Sequence, residues 1–171
     1  HLRTEGVPVH LVANPSRTGW TVAQAIEHEL PVFKKWRPDF ATLLIGINDW
    51  VRGSGRNKFT RGLRHLMDRM LEILPSPDRL IVLTLPDLSC APRGERYGYG
   101  RNIRRGVVRY NAIIRTEAEK RNLPVVDLFP LSQTFCGRPE MFVEDGIHPA
   151  AGQYAEWEKL IFPLAYRILN Q

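Results

Sequence analysis

Short apolar runs alternate with amphipathic helical stretches along this 171-residue chain. Four of the runs, at 7–13, 40–49, 79–86 and 123–129, are rich in aliphatic side chains and have the length of strands. Polar residues hardly interrupt them, which is typical of strands that are buried on both faces of a parallel sheet. The alternation therefore predicts an α/β fold in which helices cover both faces of one parallel sheet.

Amphipathic stretches between the runs supply the covering helices. The first, at 21–30, is expected to stop at Pro31, and the second spans 58–74, where apolar side chains recur at helical spacing. A third runs from about 103 to 120, and the last follows residue 149 and is expected to kink at Pro163. No repeat or low-complexity linker divides the chain, so residues 1–171 are interpreted as one domain.

Charge and hydropathy narrow the classes of partner. The formal net charge is +6, and basic residues concentrate at 56–69 and 93–110. Nucleic acid would suit such clusters, but no zinc-finger spacing and no RNP-like aromatic motif accompanies them. Solvated basic faces of two helices are the favoured interpretation, and we expect no nucleic-acid partner. No apolar run reaches about 18 residues, so no membrane span is expected.

The two cysteines, Cys90 and Cys136, fit no metal-binding pattern. They are either buried thiols or the two halves of one disulfide, and the sequence does not decide between these alternatives. The cellular compartment stays open for the same reason.

Three polar turns stand where predicted strands end or a helix begins, at 14–19, 46–49 and 145–148. In a parallel α/β fold, functional residues gather at the carboxyl ends of the strands. Each turn alone is weak evidence, because Gly, Asn and Asp form turns everywhere. Their coincidence is the functional signal in this chain.

The turn at 145–148 pairs an acid with a histidine. Asp145 precedes His148 by three residues, with Gly146 tightening the turn and Pro149 closing it. Imidazole titrates near neutral pH and is the usual general base, and a nearby carboxylate fixes its tautomer. The competing interpretation is a helix-capping Asp beside a surface histidine. The other four histidines have no such acidic partner and are interpreted as surface or core residues.

The turn at 46–49 follows a buried strand directly. The side-chain amide of Asn48 can donate to an oxyanion, and one such donor stabilises a transition state by about 3 kcal/mol. Gly46 allows close backbone approach, and Asp49 is expected to brace the loop by accepting from backbone N–H groups. The alternative for Asn48 is an ordinary turn former.

The turn at 14–19 precedes a helix. Gly19 has no side chain, so its N–H can approach a substrate oxygen, and the helix N-terminus adds a favourable potential. Asn14 is expected to tie the turn together. The alternative is a helix-starting turn that binds nothing.

Together these turns resemble sequence blocks of the SGNH, or GDSL, hydrolases. The stretch NPSRTGWT at 14–21 is similar to the family's second block, LLIGIND at 43–49 to its third, and DGIHP at 145–149 to its fifth. The following AAGQYAEW is also family-like, and the order and spacing hold over nearly the whole chain. The matching positions are Asn14, Gly19, Thr21, Gly46, Asn48, Asp49, Asp145 and His148.

The resemblance implies a three-layer α/β/α sandwich with a flavodoxin-like parallel sheet. It implies hydrolysis of small-molecule carboxylic esters through an acyl-enzyme, without a metal or organic cofactor. His148 would be the base and Asp145 the residue that orients it, while Gly19 and Asn48 would donate to the oxyanion. The supporting residues would be Asn14, Gly46 and Asp49.

The family's first block, Gly-Asp-Ser, is absent from this sequence. None of the five serines follows Gly-Asp or lies in a Gly-x-Ser-x-Gly elbow. Ser16 is nearest by position, but a nucleophile needs an exposed strand-end turn that faces its base. The five are Ser16, Ser54, Ser76, Ser89 and Ser132.

The missing block also carries a strand. In the family, that strand lies centrally in the sheet, between strands that match 7–13 and 40–45. Without it, two sheet edges keep unpaired backbone groups, each costing about 1–3 kcal/mol if buried, against about 5–15 kcal/mol for a whole domain. We therefore expect roughly 30 residues, comprising a strand, a loop and a helix, to precede residue 1 and to carry the nucleophilic serine, either in the same chain or on a separate cleaved one.

Two other functions stay open. A non-catalytic ligand-binding domain on the same fold would have little reason to combine the His-Asp pair with both oxyanion donors. A nucleic-acid-binding domain rests on charge alone.

Side chains beside the turns are candidates for an acyl pocket, with packing beneath loops as the equal alternative. The Gly-rich loop with Tyr97 and Tyr99 is either a mobile lid or, as we favour, an ordinary surface loop. The candidate pocket residues are Trp20, Trp50, Val51, Leu85 and Pro86.

Overall fold

The strands of the computed structural model, which describes residues 1–170, form one three-stranded parallel sheet. The strands are β1 (Ala41–Leu43), β2 (Leu80–Leu83) and β3 (Val125–Val126), with β2 in the centre. Ala41 lies opposite Leu80 in the register. The parallel α/β class predicted from the sequence is confirmed.

Helices occupy most of the chain between the strands. In order they are α1 (Val22–Gln24), a π-helical turn (Ala25–Glu29), α2 (Leu30–Trp36), α3 (Ile47–Val51), α4 (Arg56–Leu71), α5 (Ile103–Glu119), α6 (Leu128–Gln133) and α7 (Ala151–Leu169). Short 3₁₀ turns lie at Pro77–Arg79, Leu88–Cys90, Gly94–Tyr97 and Pro139–Met141.

The two faces of β2 are buried against different helices. Leu80 and Val82 belong to the larger core cluster, together with side chains of α1, α4 and α5. Ile81 and Leu83 belong to a second cluster with side chains of α7. Since successive side chains of a strand point to opposite faces, helices lie on both sides of the sheet. The predicted three-layer α/β/α sandwich is confirmed.

The predicted strand at 7–13 is wrong. Residues 7–17 form neither helix nor strand, and Leu11 and Val12 are exposed. A strand needs a neighbour for its backbone hydrogen bonds, and among residues 1–170 β1 pairs with β2 alone. The other side of β1 is therefore an unpaired sheet edge, and Leu44, directly after β1, is also exposed.

Pro31 does not end the first helix, contrary to the prediction. The π-helical turn at Ala25–Glu29 precedes it, so Pro31 stands in the first turn of α2, where a missing N–H is tolerated. The helical run ends instead at Trp36, and Arg37 adopts a left-handed φ of 43°.

The remaining strands lie within the predicted runs but are shorter. After β3 the chain enters α6 at once, because Asp127 Oδ1 accepts from the backbone N–H of Phe129 at 3.2 Å. The same oxygen accepts from the Thr84 hydroxyl at 2.7 Å, which ties the end of β2 to this cap. The last helix, α7, continues through Pro163.

Cys90 and Cys136 form a disulfide, with Cα atoms 4.3 Å apart. It joins the loop after β2 to the turn after α6 and settles the alternative that the sequence left open.

Within residues 1–170, no helix combines the length and apolar character needed to cross a membrane. The same residues contain no cluster of three or more potential His, Cys, Asp or Glu metal ligands.

A buried carboxylate on α5 links the two long helices of the larger core. The side chain of Glu117 is 3% exposed and accepts from Arg64 of α4 at 3.1 and 3.2 Å. It also accepts from Lys120 at 3.0 Å and Arg121 at 2.9 Å. The hydrogen bonds from Arg64, and then those from Lys120 and Arg121, hold the pKa of Glu117 at about 2 despite its burial. Glu117 is therefore ionised and joins α4 to α5.

We expect Glu117→Gln to lower the free energy of unfolding at pH 7 by about 1.5–3 kcal/mol, because it weakens charge-assisted hydrogen bonds. The folded-state pKa lies below the usual value of 4.5. The carboxylate therefore stabilises the fold above pH 4.5, and this contribution is lost as the pH falls toward 2. Urea unfolding at several pH values should show the free energies of unfolding of the wild type and of Glu117→Gln becoming more similar as the pH falls over that range.

Glu119→Gln is the matched control, because Glu119 is an exposed acid on the same helix. It should change the free energy of unfolding by less than about 0.5 kcal/mol. Equal losses in the two variants, or a difference that does not depend on pH, would contradict this role of Glu117.

Candidate active site

The turn at 14–19 leads into α1 through a reciprocal cap. Thr21 is the N-cap, and its backbone N–H donates to Oε1 of Gln24 at 3.1 Å. The next N–H, that of Val22, donates to Oδ2 of Asp49 at 2.9 Å. Asp49 is 2% exposed, and burial raises the pKa of its carboxyl while the Val22 N–H opposes that rise. Asp49 thus braces α1 against α3, in agreement with the predicted bond to a backbone N–H.

The two predicted oxyanion donors lie on turns that contact each other. Asn48 Nδ2 donates to the Trp20 carbonyl at 3.0 Å, and Arg52 Nη2 donates to the Gly19 carbonyl at 2.7 Å. An amide nitrogen carries two N–H groups, so Asn48 retains a second donor. The Gly19 N–H has no acceptor among residues 1–170. Both predicted donors therefore keep an N–H with which they can bind a ligand oxygen.

The glycines of these turns have left-handed backbones. Gly19 has φ of +84° and Gly46 has φ of +127°. A Cβ on Gly46 would lie 2.7 Å from the ring of Phe59 in α4, so its close approach is to the core rather than to a ligand. Asn14 is exposed and makes no hydrogen bond within residues 1–170. The tie predicted for it within the turn is absent from this part of the chain.

The acid and the histidine of the third turn are directly hydrogen-bonded. Asp145 Oδ2 lies 2.5 Å from His148 Nδ1, and Oδ1 accepts from the backbone N–H groups of Ile147 and His148 at 2.8 and 2.9 Å. The bond to the His148 ring, followed by the backbone bonds, holds the pKa of Asp145 at about 2. An ionised carboxylate can only accept, so the shared proton belongs to Nδ1. The neutral ring then carries its lone pair on Nε2.

The base nitrogen is accessible. His148 Nε2 has no hydrogen-bond partner among residues 1–170, and the side chain is 52% exposed. An unprotonated ring nitrogen that is backed by a carboxylate can take a proton from an incoming hydroxyl. The arrangement therefore has the chemistry of a general base.

One backbone hydrogen bond holds the His148 turn to the loop after β2, and another closes the turn itself. The Arg93 N–H donates to the Gly146 carbonyl at 2.9 Å, and the Val143 N–H donates to the His148 carbonyl at 3.0 Å. The oxyanion turn at 46–48 follows β1, which is parallel to β2. Parallel strands end at the same edge of a sheet, so His148 and the predicted oxyanion donors stand on loops of one edge.

The serines of the described chain do not serve this base. Ser16 is exposed and Ser54 half-buried, and neither donates to His148. The other three hydroxyls donate within their own turns, from Ser76 to Asp78, Ser89 to Asp87 and Ser132 to Phe129. Within residues 1–170, no serine is placed as a nucleophile on Nε2.

Two of the predicted pocket residues lie in the core. Trp50 is 6% exposed and Leu85 is 1% exposed. The Trp50 indole packs on α5 at Gly106, where an added Cβ would come within 1.8 Å of the ring nitrogen. Both residues therefore fit the alternative to the pocket role, which was packing beneath the loops. For the half-buried Trp20, Val51 and Pro86, a pocket role stays a prediction.

Several residues that position these turns were missed in the sequence. Gln24 could have been found, because Thr21 three residues earlier completes a capping-box pattern. Arg52 gives no such signal, since its bond to Gly19 joins residues 33 positions apart. No sequence pattern indicates the role of Asn111 of α5 either. Its buried amide hydrogen-bonds both the N–H and the carbonyl of Leu85.

Comparison with known sequences matches residues 1–155 to the GDSL-like Lipase/Acylhydrolase family. A multidomain esterase from Ruminococcus flavefaciens is 30% identical over 129 residues, which is 74% of this chain. The chain spans about 15% of the length of that relative.

Solved structures share the fold. Axe2, an acetylxylan esterase from Geobacillus stearothermophilus, aligns with a TM-score of 0.68 and 18% identity over 85% of this chain and 68% of that chain. TesA aligns with a TM-score of 0.71 and 22% identity over 95% of this chain and 81% of that chain. Structures of catalytic mutants of Axe2 replace a serine, a histidine, and an aspartate three positions before that histidine.

We expect Asp49→Ala to lower the free energy of unfolding by about 1–3 kcal/mol, because it leaves the Val22 N–H buried without an acceptor. Asp49→Asn keeps an oxygen at the same place and should lose less. Urea unfolding measures both losses, and hydrogen exchange at the Val22 amide should be faster in the alanine variant alone. If the two variants lose the same stability and exchange at the same rate, Asp49 does not brace α1.

Proposed function

Because the chain belongs to the GDSL-like lipase/acylhydrolase family, we propose that it hydrolyses small-molecule carboxylic esters through an acyl-enzyme, with His148 as the general base. The observation that carries the proposal is the Asp145–His148 hydrogen bond. In the neutral ring it places the lone pair on Nε2, which is accessible at the sheet edge that also bears Gly19 and Asn48. The Axe2 mutants support it, because their Asp and His have the same three-residue spacing.

In the first step, Nε2 of His148 takes the proton of a serine hydroxyl as its oxygen attacks the ester carbonyl carbon. The ring becomes an imidazolium, which the ionised Asp145 stabilises through Nδ1. The carbonyl oxygen becomes an oxyanion and accepts from the Gly19 N–H and from the second N–H of Asn48. Collapse of the intermediate expels the alcohol, which takes the proton from Nε2.

The second step repeats this geometry with water. Nε2 removes a proton from water as its oxygen attacks the acyl carbon, and the same two donors bind the oxyanion. Collapse releases the carboxylic acid and returns the proton to the serine. The residues of this chain thus move the proton and bind the developing charge, and no metal or organic cofactor enters either step.

We propose that the nucleophilic serine comes from a segment outside these 171 residues. Three observations support this proposal. No serine hydroxyl reaches His148 within residues 1–170, β1 has an unpaired edge, and Leu44, directly after β1, is exposed. A strand added along β1 would pair its backbone and cover Leu44. It would end at the same sheet edge as the base, since parallel strands share that edge.

A ligand-binding domain without catalysis is the weaker alternative. Binding alone needs no base with a fixed tautomer, and the geometry of the Asp145–His148 pair is of little use to a protein that only binds. The family and its named esterase relatives also favour hydrolysis.

In the complete protein, we expect His148→Ala to lower kcat/KM for p-nitrophenyl acetate by about 10⁴-fold or more, because the base is lost. The side chain is half exposed, so the circular dichroism spectrum and melting temperature should stay as in the wild type. His65→Ala, an exposed histidine of α4, is the matched control and should keep full activity.

Undiminished turnover in His148→Ala would contradict the role of this residue. Absence of turnover in the wild type with every acyl ester tested would contradict the hydrolase proposal and favour the binding alternative.

A further inference from the structure

A groove between the N-terminal part of α4 and the side of α5 from Gly106 to Glu117 contains two adjoining cavities of about 270 and 310 Å³. Arg56, the first residue of α4, and Arg109 of α5 line both of them. The groove is not part of the site described above. Its walls are helical and its most prominent side chains are cationic.

Arg56 and Arg109 have no carboxylate partner. Neither guanidinium forms an ion pair or a side-chain hydrogen bond with any of residues 1–170, whereas Arg64, Arg104 and Arg115 each pair with an acid. Glu117 also lines the larger cavity, but Arg64, Lys120 and Arg121 already share its charge. Two like charges thus face one groove without compensation, which creates a local positive potential.

The smaller cavity has a rigid floor with a free hydroxyl. Tyr110 lines it, is 4% exposed, and stacks on Phe59 with ring centroids 4.6 Å apart. Its hydroxyl has no hydrogen-bond partner among residues 1–170, and it is not among the buried polar atoms of that part of the chain that lack one. The hydroxyl therefore keeps some exposure, on a ring that lines this cavity.

One wall is fixed by a third arginine. Arg101 lies over the Trp50 ring at 4.4 Å and donates to the carbonyls of Trp50 and Val51 at 2.8 and 2.7 Å. Three of its five N–H donors are occupied, the third by the Gly98 carbonyl at 3.0 Å, and its charge remains beside the cavity that it lines. This wall is therefore positive and preorganised.

The start of α4 adds donors of the same sign. Its N-cap is Gly55, which has no side chain to cap the helix, and the first turn contains no acid. The first backbone N–H groups of a helix have no partner within that helix. Arg56 and these N–H groups stand at the rim of the same cavity.

We propose that this groove binds an oxyanion group of a small ligand, held by Arg56 and Arg109 with the Tyr110 hydroxyl as a third donor. Guanidinium groups match the geometry of carboxylate and phosphate oxygens. The cavity is smaller than a typical drug-sized site, which suits an inorganic anion or one sugar ring. Binding here does not depend on ester hydrolysis, so the two proposals fail separately.

Isothermal titration in about 150 mM NaCl tests the proposal with three probes: inorganic phosphate, glucuronate and neutral glucose. We expect saturable binding with one site for phosphate, glucuronate or both, and none for glucose. Binding of phosphate would identify the ligand group as a tetrahedral anion, and binding of glucuronate would identify it as a sugar carboxylate. Arg109→Ala and Arg56→Ala should each weaken binding by about tenfold or more, since each removes a charge-assisted contact.

Matched control variants distinguish specific binding in the groove from non-specific attraction of anions to a basic surface. Arg61→Ala on α4 and Arg105→Ala on α5 remove the same charge from exposed positions outside the groove and should change affinity by less than about twofold. Tyr110→Phe keeps the ring packed and should weaken binding by about three- to tenfold. The absence of saturable binding to both anions would overturn the proposal. Equal losses in the groove and control variants, or unchanged affinity in Tyr110→Phe and Arg109→Ala, would overturn it as well.

Discussion

Backbone hydrogen bonding along β2 is the interaction on which the rest of the molecule depends. This strand is the only one of the described sheet with a neighbour on each side, and none of its four residues is more than 6% exposed. The side chains of one face pack in a core with α4 and α5, and those of the other face pack in a second core with α7. Because β1 and β3 run parallel to it, the loops that follow all three strands meet at one edge.

The same requirement explains where the sheet is incomplete. Backbone N–H and C=O groups of a strand must find partners, and those on the free side of β1 find none within residues 1–170. The chain that should lie beyond that side, at 7–17, forms neither helix nor strand and exposes Leu11. The position that lacks a strand is thus the position where our proposal needs the nucleophile.

Short hydrogen bonds then fix the candidate site on this frame. Asp49 holds α1 to α3 through the Val22 N–H. Asn48 donates to the Trp20 carbonyl, and Arg52 donates to the Gly19 carbonyl. On the base side, one carboxylate holds the His148 ring and two backbone N–H groups. Each group of the candidate site therefore has its direction set by a neighbouring residue.

The sequence predicted the fold class and the pairing of Asp145 with His148, because both depend on local patterns. Apolar runs of strand length indicate a parallel sheet, and an acid three residues before a histidine is within reach of it. The strand at 7–13 could not be judged in this way, since a strand depends on a partner elsewhere. Arg52 and Asn111 were missed for the same reason, because their contacts join distant residues. For Trp50 the sequence left a pocket and a core position equally open, because a tryptophan after a polar turn suits both.

The central claim is that His148 acts on a serine which these 171 residues do not contain. Labelling the complete protein with a fluorophosphonate, followed by digestion and mass spectrometry, locates the reactive serine directly. We predict one phosphonylated serine on a peptide outside this sequence, and no label in His148→Ala. A label on any of the five serines of this chain would contradict the claim about the nucleophile. No label at all in the wild type would contradict the serine-hydrolase account as a whole.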